Sequence, residues 1–377
     1  MSQNADAQRI ERQLVYRAPG RVNLIGEHTD YNEGFVFPAA IDLYTRVTVA
    51  PRNDRKLLIH SQSFSNDIEI DLDDSRANAR GHWSDYVRGV ALMLERAGHR
   101  LKGAGLDVRS TVPIGAGLSS SAALEVAAGH ALLETSGHDV DRLELAKLCQ
   151  QAENEFVGMR CGIMDQFIAC FGRAGHSLML DCRSLEYRLA PLPPDVRLVI
   201  CNTMIRHELA ASEYNNRRAE CEAGVEYFAR FRSEVRALRD VTINDVDSYG
   251  RDLPEAIQKR CRHVITENLR VEEAAAALGH GDLNTFGELM CASHRSLKED
   301  YEVSCAELDT MVDLATQVEG VYGARMTGGG FGGCTINLVK ADSVAEFSKQ
   351  VVRGYERATG LAPEIYICST ADGVTAL

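Results

Sequence analysis

The chain has 377 residues, of which 45% are hydrophobic and 25% charged, a composition typical of a globular protein with two or three domains. Its net charge of −13 argues against nucleic-acid binding, which normally needs a basic face, but it permits a phosphate ligand held by local geometry. There is no uninterrupted run of about 18 apolar residues and no secretory signal pattern at the start, so neither a membrane span nor export is expected.

The 11 cysteines also bear on the class of protein. They are scattered between Cys149 and Cys368, and no two form the Cys-x-x-Cys pair that structural zinc sites normally use. An odd number of scattered cysteines fits free thiols in a reducing compartment. We therefore expect a cytoplasmic protein.

The segment of residues 18–31, APGRVNLIGEHTDY, is the first along the chain that carries chemistry. It places a basic residue, an imidazole and two carboxylates around glycines, at Arg21, Glu27, His28 and Asp30. Carboxylates accept hydrogen bonds from sugar hydroxyls and cations donate them, so such a cluster suits a sugar. A polar surface turn is the alternative interpretation for any one of these residues alone.

The residues that follow predict mixed strands and helices. Alternating apolar residues predict strands at 44–50, 57–61, 68–72 and 106–112. A helix then runs from residues 119–121 to Gly137, and a second begins after the N-cap candidate Asp141 and ends near Phe156.

A loop rich in glycine and serine, VPIGAGLSSSAA at residues 112–123, joins the last of these strands to the first helix. Glycines allow a close backbone approach, and the serines present N–H groups and hydroxyls at a helix start, where the helix dipole favours an anion. The loop therefore suits the phosphates of a nucleotide. It is not a Walker A loop, because it contains no lysine, and a simple N-cap is the alternative interpretation.

Two acidic residues follow this loop. Glu153 lies near the end of the second predicted helix, and Asp165 lies among apolar neighbours, where an unpaired carboxylate would be costly. Phosphoryl transfer uses one carboxylate for the metal ion and another to accept the proton of the attacking hydroxyl. The residues alone leave these two roles unassigned, and a capping or salt-bridged Asp165 is the default interpretation.

A proline-rich stretch at residues 191–195 separates two halves of the chain. It holds three of the nine prolines and precedes an apolar strand at 196–201, so we place the boundary between a domain of residues 1–190 and one of residues 191–377 here. A turn between two strands explains the prolines equally well. In the second half, the patterns predict helices at 212–231, 254–278, 282–297, 305–320 and 343–359, and strands at 335–339 and 365–368.

A run with five glycines lies in RMTGGGFGGC at residues 325–334, directly before a predicted strand. Only a loop accepts that much backbone freedom. Flexible glycine linkers are usually longer and more polar, so we interpret the run as a tight loop that closes over the active site.

Three of these segments resemble the signature segments of the GHMP kinases and occur in the same order. Residues 18–31 resemble the first signature in the form specific to galactokinases, residues 112–123 the second, and residues 325–334 the third. The resemblance extends from about Tyr16 to Cys368. It implies an α+β fold, namely the two-domain GHMP kinase fold with the active site in the cleft between the domains.

The resemblance also implies galactokinase activity, in which ATP phosphorylates the C1 hydroxyl of D-galactose with the help of Mg²⁺. It implies that Asp165 is the catalytic base and that Arg21 beside it favours its charged form. The residues implied to bind the sugar are Glu27, His28, Thr29, Asp30, Gly162 and Tyr214. Those implied to bind ATP are Gly115, Ala116, Gly117, Leu118, Ser119, Ser120, Ser121 and Trp83, and those implied to bind Mg²⁺ are Ser121 and Glu153.

Two other functions stay open. One is a kinase for another sugar, such as N-acetylgalactosamine or L-arabinose, and the other is a non-catalytic galactose sensor. Sensors of this kind lack part of the serine-alanine loop, whereas residues 119–123 are complete here and favour an enzyme.

Two of the site residues also have structural interpretations. Tyr214 is compatible with ordinary helix surface, and Trp83 is compatible with a core or rim position. We expect a monomer that binds small molecules and neither nucleic acid nor membrane.

Overall fold

The computed structural model describes residues 14–74, 78–205 and 210–377. The first half of the chain contains, in order, β1 (Leu14–Asn23), β2 (Phe35–Val36), β3 (Pro38–Pro51), β4 (Lys56–Ser61), β5 (Asn66–Asp71), α1 (Ser84–Arg96), β6 (Ala104–Ser110), α2 (Ser120–Ser136), α3 (Arg142–Gln151), α4 (Met164–Phe171), β7 (His176–Asp181) and β8 (Tyr187–Pro191). The second half contains β9 (Val196–Asn202), α5 (Ala210–Phe228), α6 (Ile243–Tyr249), α7 (Glu255–Gly279), α8 (Leu283–Glu299), α9 (Ala306–Thr316), β10 (Val321–Thr327), β11 (Cys334–Lys340), α10 (Val344–Thr359), β12 (Glu364–Cys368) and β13 (Thr375–Ala376).

Six strands form the first sheet, in the order β13–β1–β3–β6–β4–β5, and all neighbours are antiparallel except β4 and β6. Helix α2 packs on β1 and β3 and is buried on every face from Ala122 to Leu133. On its other side α2 lies close to α3, since a Cβ on Gly129 would be 2.7 Å from Leu145 Cδ1. This packing holds the glycine- and serine-rich loop before α2 in a fixed position.

Four antiparallel strands form the second sheet, in the order β10–β11–β9–β12. Its central strands β9 and β11 are buried along most of their length because helices cover both faces. Helices α9 and α10 cover one face, around Phe347 and Tyr355, while α7 and α8 cover the other, around Phe286 and Met290. A small third sheet, β2–β7–β8, completes the strands described.

The two halves of the chain are joined both by the connecting segment and by strand pairing. Residues 192–195 join β8 to β9, and β13 at the other end of the second half returns to pair with β1. The division between residues 1–190 and 191–377 stays a prediction. In the part of the chain that is described, no helix is long and apolar enough to cross a membrane.

Most of the predicted elements are present, with shifted ends. Asp141 caps α3 as predicted, because its side chain accepts hydrogen bonds from the N–H groups of Leu143 and Glu144. Helix α3 does not continue to Phe156; it ends at Gln151 and passes into a π-helical segment, Ala152–Val157. Such segments are rare and frequently occur at functional sites, and this one carries a predicted site residue.

Candidate active site

A cleft of about 560 Å³ brings together the segments that the sequence analysis singled out. It is lined by residues of segment 18–31, of the loop before α2 and of the glycine run, together with side chains from residues 61–86 and 153–165. These segments lie far apart in the sequence, so the fold creates the site. Of the predicted site residues, all but Thr29 and Ala116 line the cleft.

Thr29 and Ala116 support the site from behind. The Thr29 hydroxyl lies 2.8 Å from the carbonyl oxygen of Gly26 and 2.6 Å from that of Phe35, which stabilises the turn after β1. Ala116 is buried in an apolar cluster beneath its loop.

Asp165 and Arg21 form a bidentate ion pair in the cleft. Nε and Nη2 of Arg21 each donate to one carboxylate oxygen of Asp165 at 2.8 Å, and Nη1 donates to the carbonyl oxygen of Gly117 at 2.6 Å. The Ser119 hydroxyl donates to Asp165 as well. The side chain of Arg21 is 6% exposed and that of Asp165 is 25% exposed. The cluster thus presents a carboxylate of fixed orientation to the cleft.

The start of α2 lies beside this ion pair. Ser119, whose φ is 57°, does not cap α2 with its hydroxyl, because that hydroxyl is bonded to Asp165. The first N–H groups of α2 therefore lack a side-chain cap and are available to an anion. Gly115 and Gly117 have φ values of 70° and 78°, in the left-handed region that favours glycine. The glycine run packs on this loop, since a Cβ on Gly328 would lie 2.8 Å from the oxygen of Gly117.

Glu27 is buried where segment 18–31 meets the glycine run. Its Oε1 accepts a hydrogen bond from the N–H of Gly328 at 2.7 Å, and its Oε2 accepts one from Nδ2 of Asn23 at 3.2 Å. Burial raises the pKa of Glu27, and the fully buried guanidinium of Arg325, 3.7 Å from Oε1, opposes that rise. Arg325 was not among the predicted site residues, although its place three residues before the first glycine of the run is a usable signal.

His28 is held rigidly. Its φ of 62° is unusual for a residue with a side chain, and Nδ2 of Asn32 donates to its carbonyl oxygen at 2.9 Å. The imidazole packs against the rings of Tyr214 and Tyr301, with ring-centre distances of 5.4 and 4.6 Å. Burial, with a further contribution from His263, lowers the pKa of His28 well below its usual value. The ring is therefore neutral at neutral pH.

Asp30 and Gly162 are in close contact. A Cβ at position 162 would lie 2.1 Å from Oδ2 of Asp30, so a glycine is needed to leave room for this carboxylate. The N–H of Tyr31 donates to Oδ1 of Asp30 at 3.0 Å. Burial, together with the carboxylates of Asp165 and Glu27, raises the pKa of Asp30 to about 7.

This raised pKa predicts that the ionisation of Asp30 lowers the free energy of unfolding as the pH rises. Its unfolded pKa is about 4, so between about pH 4 and 7 the folded state holds the extra proton and the free energy of unfolding falls with increasing pH. We expect the stability of Asp30→Asn, which cannot ionise, to rise relative to that of the parent chain from about pH 4 to about pH 7 and to level off above that. Urea unfolding without ligands measures this difference in stability, and a constant difference would contradict the pKa.

Glu153 belongs to a second cluster of acidic groups. The side-chain nitrogen of Gln166 lies 2.7 Å from Oε2 of Glu153 and 3.0 Å from Oε2 of Glu125. Burial and the Asp165 carboxylate raise the pKa of Glu153 to about 7, and burial and Glu153 raise that of Glu125. The other side-chain oxygens of Glu125 and Gln166 are buried without a hydrogen-bond partner. Glu153 and Ser121 were predicted as site residues here, whereas Glu125 and Gln166 were not.

The donors in this cluster suit a hard divalent cation. Ser121 and Glu153 carry oxygen atoms of the kind that such a cation prefers, and a bound cation would favour the charged form of carboxyl groups whose pKa is raised by burial. Groups of three or more His, Cys, Asp or Glu side chains placed to hold a metal ion are absent from the described residues. A Mg²⁺ ion here would therefore need phosphate oxygens and water as further ligands, which is its usual arrangement.

Trp83 and Phe64 form an aromatic surface in the same cleft. Their rings are stacked, with centres 5.3 Å apart and planes 3° apart. Nε1 of Trp83 donates to Oδ1 of Asn66 at 3.2 Å, while Phe64 is 44% exposed. A flat apolar surface of this kind accepts a planar heterocycle. The sequence offers no signal for Phe64, because it is an isolated aromatic residue in a turn.

Comparison with known proteins agrees with this geometry. The chain matches the family models for the GHMP kinases N terminal domain at residues 85–173, the galactokinase galactose-binding signature at residues 7–51 and the GHMP kinases C terminal domain at residues 274–357. It is 49% identical to the galactokinase of Roseiflexus sp. (strain RS-1) over 97% of this chain and 93% of the relative.

Solved structures extend the comparison to three dimensions. The Lactococcus lactis galactokinase complexed with galactose is 40% identical and superposes with a TM-score of 0.94, covering 97% of this chain and 96% of that one. The mevalonate kinase of Methanococcus jannaschii, at 19% identity and a TM-score of 0.67, covers 96% of this chain and all of its own length. The latter likeness extends to the fold alone, and the α+β GHMP kinase fold that the sequence predicts is confirmed.

Proposed function

The chain belongs to the galactokinase family of the GHMP kinases, and from that premise we propose that it phosphorylates D-galactose at the C1 hydroxyl with ATP. The observation that carries the proposal is the position of Asp165, whose carboxylate is held by Arg21 and Ser119 in the cleft that Glu27, His28 and Asp30 also line. Galactose is the acceptor because the segment around these last three residues is the galactose-binding signature.

In the proposed reaction, the C1 oxygen of galactose attacks the γ-phosphorus of ATP. A bond forms between these atoms, the bond from the γ-phosphorus to the β,γ-bridging oxygen breaks, and ADP leaves. Asp165 accepts the proton of the C1 hydroxyl, and the Arg21 guanidinium opposes the negative charge that develops on the phosphoryl group. The N–H groups at the start of α2 hold the phosphates, and the Trp83 and Phe64 rings stack on the adenine.

We also propose that Ser121 and Glu153 hold Mg²⁺ against the ATP phosphates. When bound, the ion supplies positive charge that neutralises the phosphate oxygens during transfer. The buried, crowded carboxyl groups of Glu125 and Glu153 support this assignment.

We further propose that the protein acts as a monomer in the cytoplasm, where its 11 unpaired cysteines stay reduced.

The metal assignment predicts a specific defect for Glu153→Gln. We expect this variant to need at least about 10-fold more Mg²⁺ for half-maximal ATP binding, because a neutral amide is a weaker ligand for a hard cation than a carboxylate. Calorimetric titration of ATP at increasing Mg²⁺ concentrations, without galactose, measures the effect. Galactose affinity in the absence of ATP should change little.

Glu155→Gln is the matched control, because Glu155 lies in the same π-helical segment but is bonded to Gln151 at the surface. It should bind Mg²⁺·ATP as the parent chain does. An unchanged Mg²⁺ titration for Glu153→Gln would mean that Glu153 only supports the end of α3.

A panel of sugars tests the proposed function as a whole. ADP release is measured with D-galactose, D-glucose, N-acetylgalactosamine and L-arabinose, and NMR identifies the phosphorylated position. We expect the highest kcat/KM with galactose and a phosphate on C1. A higher kcat/KM with N-acetylgalactosamine or L-arabinose would identify a kinase for another sugar, and galactose binding without ADP release would identify a sensor.

A further inference from the structure

A continuous chain of hydrogen bonds runs from His28 into the second half of the protein. Nδ1 of His28 lies 2.8 Å from the Tyr31 hydroxyl, which lies 2.7 Å from the Tyr301 hydroxyl, which in turn lies 3.1 Å from Sγ of Cys221. His28, Tyr301 and Cys221 are each no more than 4% exposed. No step of the proposed reaction uses Tyr31, Tyr301 or Cys221.

The direction of donation along this chain follows from the groups that compose it. A neutral imidazole carries one proton, and its other nitrogen is a good acceptor. If Tyr31 donates to Nδ1 of His28, Tyr301 donates to Tyr31 and the Cys221 thiol donates to Tyr301, each hydroxyl donates once and accepts once. In the opposite direction Nδ1–H of His28 would donate to a phenol oxygen, which is a poorer acceptor than an imidazole nitrogen. The Cys221 thiol is both a weak donor and a weak acceptor, so the contact at His28 sets the direction.

The favoured direction leaves the imidazole proton on Nε2. That nitrogen is buried and has no partner within normal hydrogen-bond geometry among the described residues, although the backbone of Gly329 lies close enough to favour a protonated imidazole. His28 lines the cleft. A buried polar group without a partner is uncommon in folded proteins, and a bound ligand is one way to satisfy it. An Nε2–H group can only donate, so it suits an oxygen with a free lone pair.

We propose that Tyr31 and Tyr301 are positioning residues that hold His28 as the Nε2–H tautomer, so that it donates a hydrogen bond to a sugar hydroxyl. This inference rests on the proposed function insofar as galactose is the ligand. Tyr214 and Tyr301 both pack against the imidazole, and Asn32 holds the unusual backbone of His28, so the ring has little freedom to turn. The hydrogen-bond network thus determines which nitrogen of His28 carries the proton, and the packing of the tyrosines determines the orientation of the ring.

The tautomer is measured on the free protein by long-range 1H–15N correlation of labelled histidines. His28→Gln assigns the signal of His28 by its disappearance. We expect a protonated Nε2 and an unprotonated Nδ1 in the parent chain, and a mixture of tautomers in Tyr31→Phe, because Nδ1 then loses its donor. A proton on Nδ1 in the parent chain would overturn the inference.

Binding measurements give the second readout. We expect Tyr31→Phe to weaken galactose binding about 10-fold, the usual effect of losing one buried hydrogen bond, with ATP binding unchanged. Tyr301→Phe should weaken it less, because Tyr31 keeps its bond to His28. Tyr16→Phe is the control, since Tyr16 is a buried tyrosine that packs against another histidine, His130, outside the cleft.

Full galactose affinity in Tyr31→Phe would overturn the positioning role. If Tyr31→Phe does not fold, the tautomer in the parent chain decides, because a proton on Nδ1 of His28 overturns the inference and a proton on Nε2 supports it. If the parent chain binds another sugar and not galactose, the proposed function fails. The tautomer measurement in the free protein still decides the inference in that case.

Discussion

Replacing Asp165 with asparagine is expected to lower kcat by at least about 100-fold, because the amide cannot accept the proton of the C1 hydroxyl. The side chains have nearly the same shape, so the protein should stay folded and should still bind galactose and ATP. ADP release measures kcat, and circular dichroism with calorimetric titration checks folding and binding. Phosphoryl transfer through a loose transition state needs limited help from a base, so this magnitude tests how much Asp165 contributes.

Asp181→Asn is the matched control for this experiment. Asp181 forms an ion pair with Arg239 through both carboxylate oxygens, as Asp165 does with Arg21, but it lies outside the cleft. Its variant loses a comparable ion pair and should keep full kcat. Near-normal turnover of folded Asp165→Asn would remove Asp165 from the role of base, and an equal loss of turnover in both variants would trace the effect to lost ion pairing.

The sequence predicted the individual loops of the site, but it did not predict the side-chain contacts that join them. The loop before α2 and the glycine run are each continuous in sequence, and their glycines and serines carry a local signal. The pairing of Arg21 with Asp165 spans 144 residues, and residue chemistry alone left the role of Asp165 open until the family resemblance assigned it. The bond between Ser119 and Asp165 has no sequence signal, because it depends on the left-handed backbone of Ser119.

Strand β1 shows why parts of the fold escape pattern analysis. It contains Pro19 and Gly20, two residue types that are depleted in strands, and its pairing with β3 shifts register between Pro19 and Arg21. The apolar alternation is therefore broken next to Arg21, the catalytic candidate in this strand.

Glu125 was not predicted for a different reason. A lone acidic residue within an alanine-rich helix predicts a solvent-facing position.

The second large effect concerns the choice of sugar. Galactose and glucose differ only in the configuration of the C4 hydroxyl, and the proposed sugar site contains two carboxyl acceptors, the buried Glu27 and the half-buried Asp30. A site built to bond one hydroxyl leaves its own polar groups unpaired when that hydroxyl points elsewhere, which lowers kcat/KM by up to about 10⁴-fold. Glucose should therefore be a very poor substrate. ADP release over a range of glucose and galactose concentrations gives the ratio.

Asp30→Ala should narrow this ratio and impair galactose use much more than ATP binding. The methyl group cannot accept a hydrogen bond, and the variant leaves Gly162 facing an open space in the sugar half of the cleft. The phosphates are expected on the loop from Gly115 to Ser121, so the dissociation constant for ATP serves as the internal control. Equal weakening of ATP and galactose binding, or glucose turnover as fast as galactose turnover in the parent chain, would show that segment 18–31 is not the sugar site.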